Sequence, residues 1–279
     1  MRYVVVNADD FGFTRDVNDG IVEAHLRGIL TATTLMANGM QFEHAVELAK
    51  QHPTLDIGVH LVLCGGQALT TGRPLPATVS ELIAAIVRGQ LDYAAEIEAQ
   101  VRRVLDAGLQ PTHLDTHKHT HLLPPVLDAV ARLSERHGIR WVRRPFDLPL
   151  KQGRVPWSRR VVSRSLQFVR RRFHHVLAKH NCLTTDYFAG FQMTGYLQTP
   201  DLIQTLRQLP PGSTEFMTHP AFCTGELRAA RTRLKESRQR ELEALTAPET
   251  LRAVKETGIR VMGYRQLESL AGQNSSAGV

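Results

Sequence analysis

Short apolar runs alternate with longer amphipathic stretches along almost the whole chain. Runs at 3–7, 31–37, 56–61, 112–115, 140–143, 183–188, 214–218 and 260–264 are rich in Val, Ile and Thr and bounded by Gly or Pro, so they predict strands. Between them, 18–27, 43–51, 93–107, 126–136 and 238–245 carry apolar residues at helical spacing. Gly28, Gly108, Gly138 and Gly258 follow helical patterns, where helices stop. This alternation predicts βαβ units and a parallel sheet. Eight strands in one α/β domain point to a single-domain (β/α) barrel-like fold, irregular or incompletely closed, over residues 1–270. The alternative is an open doubly wound sheet, but no GxGxxG follows the first strand, so the dinucleotide fingerprint is missing. Residues 271–279 are small and polar and are expected to form a disordered tail.

Composition narrows the setting. No apolar run reaches the ~18 residues that cross a bilayer. The chain enters a strand-like run at Arg2 without the apolar core and cleavage site of a signal peptide. Cys64, Cys182 and Cys223 are odd in number and far apart. A disulfide framework is not expected, and a reducing cytoplasm is. The net charge of +7 is concentrated. Between Asp147 and Asp186 no acidic residue occurs, while Lys151, Arg154, Arg159, Arg160, Arg164, Arg170, Arg171, Arg172 and Lys179 supply 9 of the 34 basic residues.

The chemistry gathers at expected strand ends, where α/β folds bind ligands. The first strand ends in Asn7-Ala8-Asp9-Asp10, the third in Gly58-Val59-His60, the fourth in His113-Leu114-Asp115-Thr116-His117-Lys118-His119-Thr120-His121, the seventh in Met217-Thr218-His219-Pro220. Any one of these has a bland reading. Asp9-Asp10 could be a turn and helix cap, His60 a satisfied core histidine, and the His-rich stretch a polar loop. Together they point to a divalent metal, because adjacent carboxylates repel unless a cation sits beside them. One Asp and two His make a sensible ligand set with open positions, and the second Asp can serve as a base.

In order and spacing, Asn7-Ala8-Asp9-Asp10-Phe11-Gly12, Gly58-Val59-His60-Leu61, His113-Leu114-Asp115-Thr116-His117 and Met217-Thr218-His219-Pro220-Ala221 resemble the YdjC-like carbohydrate deacetylases, which include chitooligosaccharide deacetylases. The stretches 29–39 and 184–195 resemble most closely the hopanoid-biosynthesis (HpnK) branch, associated with an N-acetylglucosaminyl hopanoid. The resemblance implies that Asp10, His60 and His117 hold one divalent ion, Mg or Zn, that Asp9 is the general base, that His219 protonates the leaving group, and that Arg143 orients the base. His119 and His121 are expected to line the substrate site. Thr116-His117-Lys118-His119 departs from the usual Ser-His-His-His, and Lys118 removes the middle position as a ligand. The implied reaction is metal-dependent removal of an N-acetyl group from an amino sugar. A soluble chitooligosaccharide, or a phosphoester or amide cut on the same scaffold, is the alternative.

Val162, Leu166, Val169, Phe173 and Val176 recur at steps of 4, 3, 4 and 3, one stripe of a helix with arginines mostly off it. A basic amphipathic helix suits an anionic membrane surface. The bland reading is a barrel helix that buries its stripe and solvates its arginines. No aromatic interleaving or known module supports nucleic acid.

Overall fold

The computed structural model describes residues 1–149 and 157–276. Eight parallel strands form the sheet: β1 (Arg2–Phe11), β2 (Ala32–Leu35), β3 (Asp56–Leu61), β4 (His113–Thr116), β5 (Trp141–Val142), β6 (Tyr187–Ala189), β7 (Gly212–Thr218) and β8 (Arg260–Val261). Their order is β5-β4-β3-β2-β1-β7-β6, with β8 beside β1. β1 is the hub. It pairs with β7 from Arg2 to Ala8, with β8 at Tyr3 and Val4, and with β2 from Asn7 to Phe11. β8 thus lies against the amino half of β1, whereas an eighth strand in a regular barrel would separate β7 from β1. Between β5 and β6 only the isolated bridges Trp141↔Leu183 and Asp147↔Phe188 span the gap. The expected barrel is therefore present, curled and incompletely closed.

Local chemistry explains the elements. β1 is buried from Val4 to Phe11 because it has strand neighbours on both sides and helices outside it. Its charged residues therefore need partners within the fold. α1 (Arg15–Arg27) starts where the Thr14 hydroxyl accepts from the Val17 amide at 3.2 Å. α5 (Pro124–His137) opens on proline and stops at Gly138, left-handed at φ 67°. The remaining helices are α2 (Phe42–Gln51), α3 (Val79–Val87), α4 (Tyr93–Asp106), α6 (Trp157–Ser165), α7 (Arg170–Lys179), α8 (Thr199–Gln208), α9 (Gly225–Ala229), α10 (Glu236–Thr246), α11 (Pro248–Thr257) and α12 (Tyr264–Ser276). α3, α8 and α11 stand outside the clearest helical patterns. α8 and α11 begin around Pro200 and Pro248, which read as breaks along the sequence but suit a first helical turn. Residues 277–279 of the expected tail lie outside the described residues, and no described helix is long and apolar enough to cross a membrane.

The arginine-rich segment is not one continuous stripe. α6 and α7 are separated by a 3-10 turn over Leu166–Val169. Phe173, Val176 and Leu177 are buried in the main core, and Leu166 packs on it. Of the stripe's described side chains, Leu166, Phe173 and Val176 pack inward and Val169 is exposed, so the bland reading of a helix that buries most of its stripe fits best. Also left outside are Trp157, 77% exposed, Phe168, 91% exposed, and Val161. Arg170, Arg171 and Arg172 are exposed beside them, with Arg172 3.6 Å from Asp128. Lys151 and Arg154, and the side chains of Arg159, Val162 and Arg164, lie outside the described residues.

One close approach ties the fold to its polar interior. The His113 ring from β4 lies against Gly58 of β3, where an added Cβ would be 2.6 Å from the ring Cε1. The His113 carbonyl oxygen would be equally close at 2.6 Å, so Gly58→Ala is expected to push β3 and β4 apart as well as the ring, at about 1–3 kcal/mol or more, as overpacking does. A drop of several degrees in Tm is the expected result, and an unchanged melting curve would contradict this packing.

Candidate active site

β1 brings its two carboxylates to its carboxyl end, both buried, with the backbone turning left-handed at Asp10, φ 70°. L-residues adopt that conformation at a cost and mainly where the surroundings impose it. There Asp10 meets His60 from the end of β3 and His117 from just beyond β4. Asp10 Oδ1 is 3.3 Å from His60 Nε2 and 3.3 Å from His117 Nδ1, and the two ring nitrogens are 3.3 Å apart. Asp10 Oδ1 is a buried atom with no hydrogen-bond partner. An equilateral donor triangle around an unsatisfied oxygen fits a cation. Donors 3.3 Å apart are close enough to share one ion. The site's charge agrees. Burial alone would lower the His60 pKa, but the carboxylates of Asp115, Asp10 and Asp9 push it up to about 10, so in the absence of a metal these groups hold a proton.

Behind the triangle lies a second layer. His60 Nδ1–H donates to Asp115 Oδ1 at 2.7 Å, which leaves Nε2 facing the triangle. The Arg143 guanidinium is completely enclosed. It donates to both oxygens of Asp9, at 2.7 and 2.6 Å, and through Nε to Glu215 at 2.6 Å, and it pairs with Asp115. Burial would raise the Asp9 pKa, but Arg143 outweighs it and holds the carboxyl well below the usual range. Burial pushes Glu215 up to about 7 despite the same arginine. Asp9 is steadied from a second side. The buried, neutral His113 donates through Nε2–H to Asn7 Oδ1 at 2.8 Å, and Asn7 Nδ2 donates to Asp9 Oδ1 at 3.1 Å.

β7 delivers His219, whose Nε2 lies 3.9 Å from Asp9 Oδ2 and whose Nδ1 lies 3.8 Å from Glu241. Glu241 also accepts the His219 amide at 2.6 Å. One turn earlier on α10, Arg238 pairs with Asp10 Oδ2.

The structure thus brings Asp9, Asp10, His60, His117, Arg143 and His219 together. His119 and His121 are placed differently. Lys118 and His119 are both left-handed, φ 56° and 52°, and this kink turns Lys118 out to the Ala77 carbonyl at 2.9 Å. His119 is turned in against Phe191, ring centroids 5.3 Å apart, and burial keeps its imidazole neutral. His121 was expected on the substrate wall, yet it is fully buried. Its ring nitrogens engage the Thr116 hydroxyl at 2.5 Å and the Arg143 carbonyl at 3.0 Å. Burial lowers its pKa to about 3, so it is a neutral strut under Arg143. Asp115, Glu215, Arg238, Glu241 and His113 were not singled out for roles. Glu215 did leave a trace, as the one carboxylate in the expected strand at 214–218. Arg238 left none.

Comparison with known proteins finds similarity along nearly the whole chain. The model of a family described as YdjC-like protein matches residues 3–256. A carbohydrate deacetylase from Geobacillus stearothermophilus is 34% identical over 281 residues, covering 96% of this chain and 99% of that protein. A chitooligosaccharide deacetylase from Enterobacter sp. (strain 638) is 31% identical over 282 residues, with 95% and 99% covered. The crystal structure of an Enterococcus faecalis V583 protein assigned to cellobiose-phosphate cleavage overlays with a TM-score of 0.73 at 24% identity, over 95% of this chain and 98% of that one. At that identity it is the fold that is shared.

Titration of metal-free protein with Zn²⁺ at pH 7 is expected to show about one ion per chain. It should release about one proton, because the His60 pKa of about 10 keeps that ring charged until the metal displaces its proton. Calorimetry in buffers of different ionisation enthalpy measures both quantities. Full occupancy in His60→Ala and His117→Ala would show that the ion binds elsewhere.

Proposed function

The chain belongs to the YdjC-like family, and from that membership we propose that it is a metal-dependent hydrolase removing the N-acetyl group of an amino sugar, giving acetate and a free amine. The observation that carries this reading is the convergence of a carboxylate, Asp9, and an imidazole, His219, 3.9 Å apart beside a three-donor cation site. Amide hydrolysis needs a proton taken from water and a proton given to the departing nitrogen, so it needs two groups in opposite protonation states.

Asp10, His60 and His117 would hold the ion, a divalent metal such as Mg or Zn. When bound, the ion polarises the acetyl carbonyl and acidifies water. Asp9 accepts the proton of the attacking water. Arg143 keeps that carboxylate ionised and pointed, and His113 with Asn7 prevents its rotation. His219, whose backbone amide Glu241 holds and whose ring faces that carboxylate at 3.8 Å, gives a proton to the leaving amine. The unpartnered Nδ1 of His119 is suited to a hydrogen bond with a sugar hydroxyl. A phosphoester substrate would make less use of His219, since no amine needs to be expelled.

Asp9→Asn is expected to keep one bound metal and to lose ~10² or more in kcat, the scale of a general base. Turnover near that of the unaltered protein would end the mechanism.

The finer proposal is that the sugar is lipid-linked, an N-acetylglucosaminyl hopanoid, and that the 157–172 segment rests on an anionic membrane at the inner face. Its support is the sequence resemblance to the hopanoid branch, the exposed Trp157 and Phe168, and the exposed Arg170–Arg172 in a stretch free of acidic residues. Anionic head groups attract such arginines by about 1 kcal/mol each. Vesicles with anionic lipid should co-sediment with the protein, and binding should weaken as salt rises. Replacing Arg170, Arg171 and Arg172 with Gln should reduce turnover of the lipid substrate and spare chitobiose. Equal activity on both substrates, with no vesicle binding, would favour the soluble chitooligosaccharide named for the Enterobacter relative.

A further inference from the structure

α10 reaches into the site with two charged side chains three residues apart, Arg238 and Glu241, which lie on one helical face. Glu241 serves His219. Arg238 does something less expected, because it places a fixed positive charge on a residue of the cation site itself. Its side chain is 2% exposed. Its Nη2 pairs with Asp10 Oδ2, while Nε and Nη1, both buried, have no partner. A buried guanidinium that satisfies only one of its faces is costly to keep. Among the described residues, the only side chain it pairs with is the carboxylate whose other oxygen, Oδ1, completes the donor triangle.

We propose that Arg238 is a positioning residue that divides the two oxygens of Asp10. It occupies Oδ2, so that Oδ1 alone faces the ion, and it weakens the hold of the site on that ion. Two physical consequences follow from the one contact. A pinned Oδ2 prevents Asp10 from closing on the metal with both oxygens, which keeps a coordination position free for water and substrate. A unit positive charge a few ångströms from a divalent ion also opposes its binding, by tenfold or more at an effective dielectric of about 20. In the metal-free protein the same guanidinium is the counter-ion that keeps Asp10 charged. Burial would raise the Asp10 pKa, but Arg238 with His117 and His60 lowers it well below the usual range. The arginine and the metal therefore compete for one carboxylate. This inference rests on the proposed function only in requiring a divalent ion at Asp10, His60 and His117. Its test reads metal binding and not deacetylation, so either reading can fail without the other.

The experiment compares the unaltered protein with Arg238→Met, Arg238→Gln and Arg238→Lys, each confirmed folded by circular dichroism and titrated with Co²⁺. The visible absorption of bound Co²⁺ reports coordination number, and its saturation gives Kd. Removing the charge, in either the Met or the Gln variant, is expected to tighten Kd about tenfold or more. It should also weaken the absorption, as a released Oδ2 joins the ion and coordination rises. Arg238→Lys keeps the charge and should bind with a Kd within about twofold of the unaltered protein. A merely structural arginine predicts the opposite sign, because loss of support for Asp10 would weaken the site. Equal or weaker affinity in a folded Met or Gln variant overturns the proposal, and Gln provides the answer if the Met variant does not fold.

Discussion

A guanidinium sealed inside a barrel has to be surrounded by negative charge, and the interior of this molecule is organised around that requirement at Arg143. Its partners come from three strands: Asp9 from β1, Asp115 from β4 and Glu215 from β7. These contacts span the barrel where the backbone ladder is incomplete, so the ion cluster also acts as a cross-brace. Removing one member would leave uncompensated charge in a medium that cannot solvate it, at about 3–5 kcal/mol. Part of the site connects straight back to this point. Asp9 is held by it directly, His60 through Asp115, and His121 supports its backbone carbonyl.

This dependence explains which parts of the site could be read from the chain. Strand positions were legible because strands buried on both faces read as apolar runs, and all eight expected runs contain an observed strand. The strand-end residues Asp9, Asp10, His60, His117 and His219 were legible because polar residues at the ends of such runs need a reason. Their supports were not. Arg238 meets Asp10 across 228 positions, and Glu215 meets Arg143 across 72. No local pattern encodes such pairings, which arise from the curl of the sheet. His121 was misleading for a related reason. Strict alternation puts His117, His119 and His121 on one face of a strand, but the left-handed pair Lys118 and His119 breaks that alternation and sends the three rings in different directions.

The arginine-rich segment shows a different limit. Its apolar stripe was visible as a period, but a period does not say what it packs against. Phe173 and Val176 found the core, while Phe168, five residues before Phe173 and so about 140° round a helix from it, faces outward. Period alone therefore says which residues share a face but not which face meets the core.

The central place of β1 in the sheet has a consequence for how the protein comes into being. β1 leaves the ribosome before the other strands of the sheet, yet its longest partner, β7, begins at residue 212, and β8 follows at 260. Until about three-quarters of the chain has been made, the run Val4-Val5-Val6 has at most one of its sheet neighbours. It is an unpaired edge of high β-propensity, the kind of segment that other chains can adopt. Closing it requires a contact of long sequence separation, which slows folding. The buried carboxylates at Asp9 and Asp10 sit directly after that run, and until Arg143 and Arg238 have been synthesised they carry uncompensated charge. That charge keeps the nascent strand hydrated and opposes premature pairing with its like, so the residues proposed for catalysis also act as gatekeepers during synthesis.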